Sequence, residues 1–264
     1  MSTNTLDVKW EEKEVLIIGR GSPEPSKKHI ETVCTGAITE DGQLLRLYPI
    51  PFRYLEKDKK YKLWTWARFE VAKSANDKRK ESYHVKEDSI QILNQISDKS
   101  EQFHLLEKGI FKDREVLNEL YHTDWTSMGI VEVEMIDFDY RTQQRKNWEK
   151  DKPWVKQFEL YVERKKLEQL PIEMRIRFRC KNNPHCKAHV SSLIGWEYLE
   201  AFRNFRARYG GGLEAFSKIK ESLEKNFSDK TKMAYALLGT HFRYASWMVA
   251  QVYFFDKNIP KRLL

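Results

Sequence analysis

From Cys180 to His189 the chain gathers two thiols and two imidazoles, Cys180, His185, Cys186 and His189. Thiolates and imidazoles are the usual zinc ligands, and Cys186 and His189 have the close spacing of a metal knuckle. The turn signal Asn182-Asn183-Pro184 lies between the thiols. The pattern Cys-x5-Cys-x2-His is not a standard finger and leaves a zinc site one ligand short. His185, His241 and Cys34 are the candidates for the missing position. The plain alternative is two buried thiols and two surface histidines without metal.

A second candidate is Glu197. At about 100° per residue it falls between Val190, Leu193 and Ala201, inside the apolar arc of a predicted helix. A carboxylate there is costly unless it is paired or bound. It suits a partner arginine, a ligand histidine, or service as a general base. Arg203 and Arg206 lie on the opposite face. With Arg175, Arg177 and Arg179, which share one face of an alternating strand, they are candidates for a single guanidinium surface. The guanidinium fork binds two phosphate oxygens at once.

In the first half, Asp77, Arg79 and Glu81 alternate and would line one face of an extended strand. With Arg46 and Arg53 they would form the wall of a polar pocket. In a nuclease, Asp77 and Glu81 would hold a metal; the ordinary alternative is a solvated edge strand with local ion pairs. The chain has no Walker loop, no Gly-x-Gly-x-x-Gly, no serine elbow and no zinc-deaminase pattern.

Two modules are expected to position these groups. The strands are predicted near Glu14–Gly19, Ile30–Ile38, Leu44–Tyr48, Tyr61–Ala72 and Gly129–Tyr140, the last with a bulge near Met135 and Ile136. Helices are predicted near Glu101–Ile110 and Asp113–Tyr121. These make residues 1–145 a β-rich, barrel-like module with a helical insert. A polar stretch from Arg141 to Trp154 marks the boundary. Residues 155–264 then read as an α+β module: a strand over Pro171–Cys180, helices over Val190–Tyr209 and Leu213–Phe227, and strands over Met233–Leu238 and Trp247–Phe255. The fold class is therefore α+β.

Charge supports this division. Residues 151–264 carry 22 Lys/Arg against 12 Asp/Glu, whereas residues 1–150 carry 25 against 27. A basic half points to a polyanion, most often nucleic acid. Hydrophobic residues make up 41% of the chain, enough for a sizeable core. Three cysteines are too few for a secreted disulfide scaffold. No signal core or membrane span is apparent, and a cytoplasmic protein is expected.

Several phrases resemble a family of uncharacterised two-domain prokaryotic proteins. They are Pro25-Ser26-x-Lys28, Glu31-Thr32-Val33-Cys34, Arg46-Leu47-Tyr48-Pro49-Ile50-Pro51-Phe52-Arg53 and Asp77-x-Arg79-x-Glu81-Ser82. In the second half they are Phe178-Arg179-Cys180 through His189, Trp196-Glu197 and Gly239-Thr240-His241. The resemblance implies that these positions form sites. It implies no activity.

The leading expectation is a nucleic-acid-binding protein, for DNA or RNA, with a zinc-held corner. The alternatives are a metal-dependent nuclease or other hydrolase with Glu197 as base, and an interaction subunit that docks a protein partner through Trp64 and Trp66.

Overall fold

The computed structural model describes residues 9–26, 28–74, 76–142, 170, 172–242 and 244–259. Its fold is α+β in two modules. The first contains β1 (Glu11–Arg20), β2 (Glu24–Ser26), β3 (Ile30–Ile38), β4 (Leu44–Ile50), β5 (Thr65–Lys73), β6 (Ser82–Val85) and β7 (Gln91–Gln95). The order β1–β3–β4–β6–β5 closes through β5 pairing back to β1, giving a five-stranded barrel. Only the β4–β6 pair is parallel among these contacts.

The second module contains α1 (Lys99–Leu106), β8 (Ile110–Phe111), α2 (Arg114–Asp124), β9 (Met128–Thr142), β10 (Ile172–Cys180) and β11 (His189–Ser192). It continues with α3 (Trp196–Tyr209), α4 (Gly212–Ser228), β12 (Lys232–Thr240) and β13 (Trp247–Asp256). Its sheet runs β11–β10–β9–β12–β13, with β8 beside β9.

Apolar patterning sets how these parts stack. Val15 and Ile17 fill the barrel with Leu45, Leu47 and Phe69. The alternate residues Leu16 and Ile18 point outward, against Leu237, Tyr253 and Phe255 of the second sheet. Both faces of β1 are covered, which is why the run Val15–Ile18 shows no polar alternation. The other face of the sheet packs Phe138, Met174, Ile176 and Phe178 against Phe202 of α3 and Phe216, Ile219 and Leu223 of α4. The order of layers is therefore barrel, sheet, helices. Barrel and sheet approach closely here: a Cβ on Gly19 would lie 2.7 Å from Leu237 Cδ2, so a larger residue would displace that leucine.

Four expectations change. First, β9 is the centre of the second sheet, bonded to β10 and β12, whereas the 1–145 division gave it to the first module. Strand periodicity carries no information about which strands are partners. The boundary stretch Arg141–Trp154 lies mostly outside the described residues. Second, His189 opens strand β11 and not a helix; the helix begins at Trp196. Third, residues 77–81 form a loop and turn before β6. Fourth, Trp64 docks on this chain's own sheet, 5.3 Å from the Tyr253 ring and 6.2 Å from Phe255. The β9 bulge is where the alternation placed it. Asp137 faces Arg177 and Met135 faces Phe178, leaving Ile136 extra.

Candidate metal centre and nucleic-acid interface

The knuckle forms as two successive turns. Asn183 N–H donates to the Cys180 carbonyl (3.3 Å), and Cys186 N–H donates to the Asn183 carbonyl (2.9 Å). β11 then pairs with β10, setting His189 opposite Phe178. Cys186 Sγ lies 3.2 Å from His189 Nε2. The fourth group is Glu115, in the first turn of α2, with Oε1 3.1 Å from the same nitrogen. One ligand atom from each of Glu115, Cys180, Cys186 and His189 lies within 4.8 Å of all the others. Tetrahedral edges of roughly 3.2–3.8 Å follow from metal–ligand bonds of about 2.0–2.3 Å. Glu115 Oε2 is buried with no partner.

Two backbone N–H groups are aimed at the sulfurs. Cys180 Sγ accepts the Arg114 N–H (3.3 Å) and Cys186 Sγ accepts the Cys180 N–H (3.2 Å). Such bonds favour the thiolate. Burial, with Cys186 and Glu115 beside it, pushes the Cys180 thiol up to about 12 despite the Arg114 N–H, a cost that a neighbouring cation would offset. Burial, with the nearby Arg114 guanidinium, lowers the His189 pKa and keeps the ring neutral, the form that binds metal. Asp113 fixes the corner from outside: Oδ1 caps α2 at Val116 N–H (2.8 Å) and Oδ2 accepts from Asn183 Nδ2 (3.1 Å).

The other proposed ligands lie elsewhere. His185 is exposed, with its N–H on Asn183 Oδ1. His241 stacks on Tyr244, 5.2 Å between centroids. Cys34 is in the barrel, 3.6 Å from Arg46 Nη1. Glu115 was missed because only thiols and imidazoles were sought. The available signal was a carboxylate two residues after the helix-capping Asp113.

The arginines of β10 share one face, as their spacing required, but each stands opposite a carboxylate of β9. Arg175 pairs with Asp139 (2.9 Å), Arg177 registers with Asp137 and Arg179 with Glu134. Lys181 pairs with Glu132 (2.7 Å). Arg203 and Arg206 do not join them. Phe202 packs against Met174, Ile176 and Phe178, so α3 covers the apolar side of β10 while the arginines alternate to the other side. Arg203 pairs with Glu200 on its own helix.

Glu197 is paired with an arginine, one of the partners its position suggested. Arg20 Nη2 and Nε donate to its Oε1 (2.6 and 3.1 Å), and Arg20 Nη1 donates to the Tyr61 carbonyl. The guanidinium lies 4.5 Å from the Phe52 ring. This is a pin between barrel and second module. Arg53 is held within the barrel by the buried Glu31 (2.8 Å).

Arg46 and the 77–81 loop do come together, against the second module. Glu81 accepts Ser127 N–H (3.0 Å) and Oγ–H (2.7 Å). Arg46 N–H donates to the Glu81 carbonyl (2.8 Å), and its Nη2 to the Ser127 carbonyl (3.0 Å). A Cβ on Gly239 would lie 3.1 Å from that Nη2, so glycine lets the guanidinium pass. Arg79 holds Asp77 through Nε and Nη2 (2.9 and 2.7 Å) and donates to the Thr240 carbonyl through Nη1 (3.1 Å). Burial raises the Asp77 pKa, but the Arg79 and Ser82 contacts outweigh it and hold the carboxyl below its usual value. The three carboxylates proposed for catalysis are thus committed to Arg79, Ser127 and Arg20. Among the described residues, the metal corner is the single grouping of His, Cys, Asp and Glu with ligand atoms this close.

What this seam leaves outside is aromatic and cationic. Trp125, Phe242 and Tyr244 are 42%, 61% and 65% exposed, unusual for rings of this size. Lys78 Nζ lies 5.2 Å from the Trp125 ring centre, and Arg79 Cζ lies 5.4 Å from that of Phe242. Lys80 is exposed, pairs with Asp124 (2.7 Å) and donates its N–H to the Trp125 carbonyl (3.0 Å). The sequence hid this surface because its parts come from three separate segments.

The three cysteines are free, and no helix among the described residues is long and apolar enough to cross a membrane. Residues 113–263 match the family model described as Domain of unknown function (DUF8757), and residues 11–108 match Domain of unknown function (DUF8758). No curated protein matches the chain.

Proposed function

This chain belongs to the DUF8757 family, and we propose that it binds single-stranded nucleic acid along the seam between barrel and second module. The observation that carries this reading is the pair of exposed rings Trp125 and Phe242 beside Lys78 and Arg79, with exposed Tyr244 and Lys80 close to them in the chain. Exposed rings stack on unpaired bases, and lysines beside them take the phosphates. Lys78 and Lys80 are the phosphate contacts. Arg79, Arg46 and Glu81 position the loop through their contacts with Asp77, Thr240 and Ser127. Stacking is blind to the sugar, so DNA and RNA single strands are both ligands of this surface.

Zinc completes the reading as a structural ion. Two sulfurs, one imidazole and one carboxylate supply four protein ligands, the number a closed zinc site uses. Zinc there would tie α2 to the β10–β11 turn. Free thiols fit a reducing compartment, and the cytoplasm is the proposed location.

Two measurements test this. Fluorescence anisotropy with labelled oligo-dT and oligo-U should show binding that weakens as salt rises. Duplex of the same length should bind less tightly, because paired bases offer no open faces. Equal affinity for duplex and single strand would overturn the stacking interface. Metal analysis should find about one zinc per chain in the wild type and a large loss in Cys186→Ser. Wild-type protein without zinc would overturn the metal assignment.

A further inference from the structure

We infer that metal occupancy of the Glu115–Cys180–Cys186–His189 corner controls nucleic-acid affinity at the seam, through helix α2; this rests on the nucleic-acid reading above. The two sites are the two ends of one helix. Glu115 stands in the first turn of α2, and Asp124 and Trp125 stand at its end. At about 1.5 Å per residue, the ten steps from Glu115 to Trp125 span about 15 Å.

The far end of the helix supports the seam. Asp124 accepts from Lys80 Nζ and from Thr126 N–H (3.0 Å) and Oγ–H (2.6 Å). Trp125 ends the helix in the left-handed region, φ 63°. Its carbonyl holds the Lys80 N–H and its ring lies beside Lys78. Ser127, two residues on, is the partner of Glu81 and Arg46. Displacing the end of α2 would therefore move a stacking ring and both phosphate-binding lysines together.

Leu117 is the one fully buried residue of α2, and the partly buried Tyr121 packs on the same core. A helix with few buried apolar contacts is placed largely by what grips its ends. At the start these grips are the Asp113 cap, the Arg114 contacts with Cys180 Sγ and His189 Nδ1, and Glu115. With the ion bound, Glu115 is fixed to the β10–β11 turn. Without it, three buried ligand groups and a carboxylate lose their common partner, and the helix gains freedom to shift. Nucleic acid favours the placed helix, so the sites are coupled, and the coupling is reciprocal.

The probe is a labelled oligo-dT of about 12 nucleotides, long enough for one stacking site of this kind. Its Kd is measured on zinc-loaded wild type, chelated wild type and Glu115→Gln. The last variant keeps the two cysteines and the histidine. Circular dichroism on each sample reports folding. The expected result is about 5–50-fold weaker binding without zinc, within the usual range of coupling. Saturating oligo-dT should tighten zinc binding by the same factor. Glu115→Gln should lose most of the zinc dependence, and Lys80→Ala, which cuts the far end, should reduce it in a protein whose metal corner is intact. Equal Kd with and without zinc in folded protein overturns the coupling. If zinc-loaded protein fails to bind oligo-dT at all, the seam is not a nucleic-acid site. Hydrogen exchange over residues 120–127 then decides the metal-to-helix link by itself: protection that rises with zinc supports it, and protection that ignores zinc overturns it.

Discussion

The β10 arginines and the cations of the 77–81 loop carry the same charge and meet different surroundings. On β10, Arg175 pairs with Asp139 and Lys181 beyond it with Glu132, while the exposed Arg177 and Arg179 register opposite Asp137 and Glu134. At the seam, Arg79 is held by Asp77 and Lys80 reaches Asp124 (2.7 Å), while Lys78 lies outward beside the exposed Trp125 ring. A row of arginines is a phosphate surface only if its counter-charges lie elsewhere. Cross-strand opposite charges stabilise a sheet by roughly 0.2–1 kcal/mol per pair, and that role accounts for Arg175 without a ligand. Regular spacing made that row conspicuous, while the more exposed combination at the seam was dispersed through the chain.

The contrast can be broken by substitution. The largest effect is expected from Phe242→Ala with Tyr244→Ala. Each base stacked on a ring contributes about 1–3 kcal/mol, so two rings together contribute about 2–6 kcal/mol and oligo-dT affinity should fall by at least about 30-fold by anisotropy. Next is Lys78→Ala with Lys80→Ala. It should weaken binding by about 3–10-fold and reduce the salt slope by about 1.4, from roughly 0.7 per single-strand phosphate contact. The β10 triple variant, Arg175→Ala, Arg177→Ala and Arg179→Ala, should change affinity by less than about threefold. A loss as large as that of the aromatic pair would reverse the comparison and return phosphate binding to β10.

The smallest effect concerns acid. Arg79 and Ser82 hold the Asp77 carboxyl below its usual value despite partial burial. A depressed folded-state pKa contributes stability that is present above the unfolded value of about 3.8. That contribution is lost as pH falls through the lower folded value. Thermal melts of the wild type should therefore decline more than those of Asp77→Asn below about pH 4, and the two should run parallel from pH 5 to 7. Parallel curves at every pH would mean that the Asp77–Arg79 contact contributes nothing to folding.

Much of the metal corner was legible because it is local. Cys180, Cys186 and His189 lie within one strand–turn–strand, so spacing alone restricts their geometry. Its fourth group was not legible. Glu115 lies 65 residues before Cys180 and arrives through α2 packing beside β9. Glu197 was readable as a residue in need of a partner, since a carboxylate in an apolar arc demands one, but nothing in the pattern named Arg20. The helix predicted from Val190 failed at its start because residues 189–192 are taken by pairing with β10, a long-range contact that overrides local preference. The strand read for Asp77–Glu81 failed for a related reason. Its alternation is satisfied by three different partners, Arg79, Thr240 and Ser127, and not by a neighbouring strand.

The sequence by itself determined the α+β class, most of its strands and helices, the β9 bulge and three of the four groups in the metal corner. Each depends on contacts between residues near in the chain, or on an alternation that burial of one face enforces. Only the tertiary structure decided that β9 belongs to the second sheet, that Arg175 is paired with Asp139, that Glu115 completes the corner, and that Trp125 and Phe242 stand beside Lys78 and Arg79. Those outcomes follow from which apolar faces pack together, and packing joins residues far apart in the chain through contacts that leave no periodic mark in it.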